Sequence, residues 1–358
     1  MISRSPFGEV DGVPVHAYTV TTDGGLRARL IDFGARLVEL HVPDRAGTFA
    51  DIVLGFDDLA SYASSDAYFG ATCGRYGNRI ARGRFDFHGQ SVQLDCNEGL
   101  NHQHGGRDGF DRKIWTAAFD PPGTTVRFLT TSADGEMGFP GALEASCTYE
   151  FDADQVRVTL ECRTDAPTIV NMVHHSYFNL AGHGSGDVLG HEVTLDSGFY
   201  TPVDSELLTT GEIRSVAGTP FDFSAGETIG SRIAEVPSPG GGNQGEGRGY
   251  DHNWVLRGAP GELIDVAAIH DPETGRVMRL RSTEPGVQFY TAGDLSTDVI
   301  GKGGVPYVKY AGFALETQKF PCSPNFSHFP TTELRPGELY RHRMVIDFST
   351  DADEAARR

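Results

Sequence analysis

Two runs, Leu143-Glu144-Ala145-Ser146-Cys147-Thr148-Tyr149-Glu150-Phe151 and Val156-Arg157-Val158-Thr159-Leu160-Glu161-Cys162, flank the polar segment Asp152-Ala153-Asp154. In both, apolar residues alternate with polar ones, which is the period of a strand with one face buried. Asp side chains bond to nearby backbone and suit a tight turn. The stretch therefore predicts an antiparallel hairpin.

The same texture recurs on both sides of it. Residues 26–31 and 36–42 are two such runs, broken at Phe33-Gly34-Ala35. Phe85-Asp86-Phe87, His88-Gly89 and Val92-Gln93-Leu94 form another hairpin pattern. Further strands are expected at 125–130, 169–173, 191–195, 252–256, 263–269, 277–280, 287–292, 312–317 and 339–348. Helical signals are confined to 57–64 and one turn at 230–235. With 45 Gly and 19 Pro among short apolar runs to make turns, the chain reads as all-β, a large antiparallel sandwich or barrel. No internal repeat or linker interrupts it, so residues 1–358 are expected to form one domain. Residues 237–249 read as a Gly-rich surface loop and 351–358 as a frayed tail.

A formal net charge of −19 argues against nucleic acid and anionic membranes as partners. The five cysteines are odd in number and widely spaced, as expected of reduced thiols in the cytoplasm rather than a disulfide framework. Residues 1–15 carry Arg4, Asp11 and two prolines and lack the apolar core of a signal peptide. No apolar run reaches the ~18 residues of a membrane-spanning helix.

Against this background a few polar residues need explaining. In Ala314-Leu315-Glu316-Thr317-Gln318-Lys319-Phe320 a single carboxylate sits in an apolar strand. A buried, ionised Glu is costly unless paired or functional, which makes Glu316 a candidate general base; the alternative is that it alternates outward into solvent. His102 and His104 would share one face of a strand, whereas the neighbours His174 and His175 would face opposite sides. Histidine with Glu suits either acid/base chemistry or a zinc or iron site built from His102, His104 and Glu316. Each His could equally bond only to backbone at a strand end. Asn78-Arg79 offers a forked donor beside an amide, and Asp251 and Gln288 each lie among aromatics. Solvated surface and ordinary turn chemistry would account for these as well.

Taken in order, the segments resemble the aldose 1-epimerase family, the galactose mutarotases. The matching motifs are Gly74-Arg75 through Asn78-Arg79-Ile80, His104-Gly105-Gly106, Gly135 through Gly138-Phe139-Pro140-Gly141, and His175-Ser176-Tyr177-Phe178-Asn179-Leu180. They continue with Asp222-Phe223, Asp251-His252-Asn253, Pro285-Gly286 through Gln288-Phe289-Tyr290, Ala314-Leu315-Glu316-Thr317-Gln318, and Pro336-Gly337-Glu338 before Tyr340. The resemblance implies a large antiparallel β-sandwich of the mutarotase type with few short helices, monomeric or homodimeric. It also implies interconversion of the anomers of a free aldose such as D-galactose or D-glucose, without metal or cofactor. By the same likeness Glu316 is the base, His175 the acid, His104 a second cleft histidine, and Asn78, Arg79, Asp251 and Gln288 bind substrate hydroxyls. His174 and Gln103 depart from the family's usual Asn and Leu, and Cys322 stands where an acidic residue is more familiar. A non-catalytic sugar binder, an epimerase for another aldose and an enzyme for phosphorylated hexoses are the alternatives, the last disfavoured by the chain's acidity.

Overall fold

The strands Leu143–Phe151 and Gln155–Thr164 pair antiparallel from Phe151 opposite Val156 to Leu143 opposite Thr164. Their side chains alternate between buried and part-exposed as the sequence pattern requires. This hairpin belongs to a sheet of nine strands in a computed structural model that describes residues 1–237 and 249–356. The sheet runs in the order Thr116–Phe119, Thr125–Ser132, Leu143–Phe151, Gln155–Thr164, Tyr340–Thr350, Arg276–Ser282, Ile264–His270, Glu192–Leu195, Glu227–Thr228. A six-stranded sheet is ordered Tyr177–Phe178, Phe313–Gln318, Gly286–Tyr290, Asp251–Val255, Phe199–Thr201, Arg214–Ser215. A five-stranded meander spans Ile2–Val10 to Phe49–Asp51.

The core lies between these layers. Phe128, Tyr149, Val158 and Ile346 of the nine-stranded sheet share one apolar cluster with Tyr18, Leu30 and Leu40 of the meander and Trp254, Phe289 and Leu315 of the six-stranded sheet. Burial of each large side chain contributes about 1.5–3 kcal/mol. The all-β antiparallel sandwich expected from the sequence is the fold observed, with two short α-helices among the described residues.

Several local expectations are corrected. Residues 169–173 do not run as one strand. Thr168–Ile169 and Val173–His175 are separate, and between them Asn171 makes a single parallel bridge to Tyr76 while its side chain donates to Gly77 O at 3.2 Å and accepts from Lys319 N at 2.8 Å. The N-terminal segment is a hairpin, Ile2–Val10 with Val13–Thr21, turned at Asp11-Gly12, both at positive φ (51° and 78°) as a two-residue turn demands. The expected frayed tail is instead helical over Asp351–Ala356, held by Arg279 on Glu354 (2.8 and 2.6 Å) and by the Asp353 carboxylate on Thr350 N at 2.9 Å. Of the expected Gly-rich loop, residues 238–248 lie outside the described residues.

Candidate active site

All six residues of Phe313–Gln318 are buried, and Glu316 is only 2% exposed, so it does not alternate into solvent. Alternation sends Phe313 and Leu315 into the core and leaves Ala314, Glu316 and Gln318 on the opposite face. That face is shared with Gln288, paired to Glu316, and with Asn253, paired to Gln288. A polar sheet face is thus covered rather than solvated, and the cover is histidine-rich.

His175 ends the strand Val173–His175, which pairs with Ala71–Cys73. Its Nε2 lies 3.6 Å from Glu316 Oε2, and its ring stacks near-parallel with Tyr68 and Tyr177 at 5.7 and 5.1 Å between centroids. Neither His175 Nδ1 nor Glu316 Oε2, both buried, has a hydrogen-bond partner among the described residues. Such orphaned buried atoms mark a site built for something else to complete.

His174 faces the other way, as adjacent strand residues must. Tyr149 donates its hydroxyl proton to Ala35 O at 2.8 Å, so it can only accept from His174 Nδ1 at 3.2 Å. His174 Nε2 then accepts from Ser176 Oγ at 2.8 Å. Burial lowers His174 to about 3, so it is a neutral anchor and not a second titrating group in the cleft.

His104 enters from a sharply bent loop with φ at +48°. Gly105 must follow it, since a Cβ there would sit 1.8 Å from Gly74 O. The bend ends the strand His102–Gln103 and breaks the alternation that would have put His102 and His104 on one face. His102 turns inward, with Nδ1 2.7 Å from Asp95 O and its ring against Phe139. His104 Nδ1 accepts the Asn78 backbone N–H at 3.3 Å, which places the ring proton on Nε2. The His104 and His175 rings lie 5.0 Å apart, edge to face.

The remaining candidates form one continuous wall. Asn78 accepts the Arg79 N–H on its own Oδ1 at 2.8 Å, which leaves its amide N–H groups as donors. Arg79 is gripped by Glu98 through Nε at 2.7 Å and Nη2 at 2.6 Å, and its Nη1 stands 3.9 Å from Asp251 Oδ2. Asp251 Oδ1 accepts from Gln288 Nε2 at 2.6 Å, and Gln288 Oε1 in turn accepts from Gln318 Nε2 at 3.3 Å. All seven residues picked from the sequence are therefore brought together in one cluster. Sequence reasoning missed Glu98, Gln318 and Tyr68. Gln318 had a signal, two residues from Glu316 on the same strand face, whereas the tertiary pairing of Glu98 had none.

Burial raises the Glu316 carboxyl well above its ordinary value; the Asp251 charge adds to this and the Arg79 charge opposes it. Burial lowers His175 to about 4. His104 is held well below its ordinary range by burial, then by His175 and Arg79. Burial alone would lower Arg79, but the Glu98 hydrogen bonds and the Asp251 and Glu98 charges outweigh it and raise the guanidinium.

One ligating atom each from His104, His175 and Glu316 lies within 4.8 Å of the others, close enough to hold a metal ion. The donor set does not fit. His104 has spent its Nδ1 lone pair on a backbone N–H and presents a proton at Nε2, and His102 points elsewhere. Metal-ligating histidines usually donate their second nitrogen to an oxygen, and His175 Nδ1 has no such acceptor among the described residues.

Comparison with known proteins agrees with this geometry. The aldose 1-epimerase family model matches residues 16–347. Galactose mutarotase of Bos taurus is 40% identical over 352 residues, covering 97% of this chain and 98% of that protein. Aldose 1-epimerase of Escherichia coli is 35% identical, covering 97% and 99%. The crystal structure of an aldose epimerase homologue from C. elegans superposes with a TM-score of 0.83 at 28% identity, covering 93% of this chain and 98% of that one. A buried acid–base pair on a sandwich of this shape, matched along nearly its whole length, means that the chain belongs to the aldose 1-epimerase family, the isomerases that interconvert the anomers of aldoses.

Proposed function

We propose that the substrate is a free aldohexose of the D-galactose or D-glucose type, with Glu316 as general base, His175 as general acid and His104 as a donor at the reacting end. The observation that carries this is the 3.6 Å separation of His175 Nε2 and Glu316 Oε2 in two buried side chains, with Glu316 Oε2 left without a hydrogen-bond partner among the described residues. An anomeric carbon carries two oxygens, the hydroxyl O1 and the ring O5, and the pair can reach one each. Glu316 takes the O1 proton, the O1 electron pair forms the carbonyl, the C1–O5 bond breaks, and O5 takes the proton from His175 Nε2. The product is the open-chain aldehyde, whose carbonyl oxygen can accept from His104 Nε2–H. A half-turn about C1–C2 exposes the other carbonyl face. O5 attacks it, and both protons return by the reverse path to give the other anomer. Positioned acid and base groups typically contribute about a hundred- to ten-thousand-fold each.

The two side chains share one ionisable proton between them. The raised Glu316 and lowered His175 favour its resting on Glu316 before a sugar binds. A bound sugar moves it, because a hydroxyl donating to Glu316 stabilises the carboxylate and a ring oxygen accepting from His175 stabilises the imidazolium. Asn78, Arg79, Asp251 and Gln288 hold the remaining hydroxyls while the aldehyde end rotates. No step needs a metal or cofactor. The buried, unpaired thiols of Cys73, Cys147, Cys162 and Cys322 fit a reducing cytoplasm, and no described helix is long and apolar enough to cross a membrane.

Polarimetry of freshly dissolved α-D-galactose and α-D-glucose tests this reading. Faster decay of rotation with the protein present is expected. Binding of either sugar with no acceleration would instead make the chain a sugar-binding relative.

A further inference from the structure

Arg79 has five N–H bonds, and Glu98 takes the ones on Nε and Nη2 in a fork-to-fork pair at 2.7 and 2.6 Å. What remains is one N–H of Nη2 and both of Nη1, and Nη1 faces Asp251 Oδ2 at 3.9 Å, beyond hydrogen-bond length. From the other side Asp251 Oδ1 is held by Gln288 at 2.6 Å, and Gln288 is oriented by Gln318. A buried cation and a nearby carboxylate thus stand apart, each tied to a different neighbour. Left to themselves they would close from this loose ion pair to hydrogen-bond length, since opposite charges attract strongly where water is excluded.

We propose that Glu98 is a positioning residue that draws Arg79 away from Asp251 and keeps a donor–acceptor slot open for a pair of neighbouring sugar hydroxyls. One hydroxyl donates to Asp251 Oδ2 while its neighbour accepts from Arg79 Nη1. The inference rests on the cleft being the aldose site, and it adds a residue that makes no contact with the sugar itself. The loop fixes the backbone from which Glu98 projects. Glu98 and Asn101 exchange backbone hydrogen bonds at 3.1 and 2.8 Å across Gly99, whose φ of +58° lets the chain reverse. Asn97 bonds both backbone groups of Gln103 at 2.8 and 3.0 Å. The segment that sets Arg79 therefore also delivers His104.

Removing the Glu98 charge while keeping its shape releases Arg79. In Glu98→Gln the guanidinium moves onto Asp251 and each blocks the other's sugar contact. The test measures D-galactose binding by calorimetry, and KM and kcat by polarimetry, for the wild type, Glu98→Gln, Arg79→Gln and the double variant. Glu98→Gln should weaken galactose binding by about tenfold or more and raise KM in step, with kcat largely kept. In the Arg79→Gln background, adding Glu98→Gln should change nothing, because no cation is left to restrain. An unchanged dissociation constant for Glu98→Gln, or the same loss in both backgrounds, overturns the inference, since a merely structural Glu98 would act regardless of Arg79. A wild type that does not bind galactose overturns the sugar reading and this inference together. Galactose binding without turnover overturns only the catalytic roles.

Discussion

His175 Nε2 and Glu316 Oε2 face each other at 3.6 Å, just beyond hydrogen-bond reach, with both residues at least 95% buried. In the proposed roles, an acid and a base at that distance are close enough to pass one proton between them through a bound sugar. Their rigidity comes from the scaffold, since Glu316 lies in a paired strand and the His175 ring is stacked by Tyr68 and Tyr177. Preorganisation of this kind spares the reaction the cost of ordering its own catalysts.

If His175 is the acid, His175→Asn keeps a similar volume but cannot protonate the ring oxygen. It should lower kcat roughly a hundred- to ten-thousand-fold while leaving the melting temperature near that of the parent. Polarimetry beside thermal melts checks both halves. A variant retaining more than about a tenth of the parent kcat would place the acid elsewhere.

Asp251 has two effects that separate in one variant. In the proposed binding mode its carboxylate takes a substrate hydroxyl, and its charge helps to raise Glu316. Asp251→Asn should raise KM about tenfold or more. The same change should lower the Glu316 pKa, and because the proton that the pair shares rests on Glu316 in the free protein, the alkaline limb of the kcat/KM profile should move to lower pH. A limb that stays put or moves upward would mean that another group controls it.

His191 offers a pH test of stability away from the chemistry. Its Nε2 accepts the buried Leu180 N–H at 3.0 Å, and burial lowers its pKa to about 4. The folded value lies below the ordinary value of the unfolded chain, so this contribution is full above about pH 6.5 and is lost as pH falls toward about 4, amounting at most to roughly 3 kcal/mol. His191→Gln keeps an acceptor but removes the titration. Its melting temperature should therefore fall less than the parent's between about pH 7.5 and about pH 5. Equal losses would assign the acid sensitivity to other groups.

Because His104 presents a proton rather than a lone pair at Nε2, the cleft should work without metal. Prolonged chelator treatment followed by desalting should leave kcat and KM unchanged. Loss of activity restored by zinc or iron would contradict the proton-transfer account.

What could be read in the sequence follows the range of the physics involved. The hairpin at Leu143–Phe151 and Gln155–Thr164 was legible because alternation and turn chemistry are local. Asp11-Gly12 carried the same kind of signal for the N-terminal hairpin, but the mostly exposed strand Ile2–Val10 before it lacks the alternation that would reveal it. The strand at 169–173 failed because Asn171 finds its partners at Gly77 and Lys319, far away in the chain. In the cleft, the opposed directions of His174 and His175 follow from strand geometry alone. The pairing of His102 with His104 failed at one residue, whose positive φ depends on the tight approach of Gly105 to Gly74. Glu98 was invisible because its grip on Arg79 exists only once the loop has folded back onto the sheet.

The most direct measurement is the rate of α-D-galactose mutarotation by Glu316→Gln, with sugar affinity measured on the same preparation. Gln keeps the shape of Glu but cannot accept the anomeric proton. The account predicts loss of roughly a hundred- to ten-thousand-fold in kcat with galactose still bound. A rate close to that of the parent would contradict it, because the O1 proton would then be leaving by some path other than Glu316.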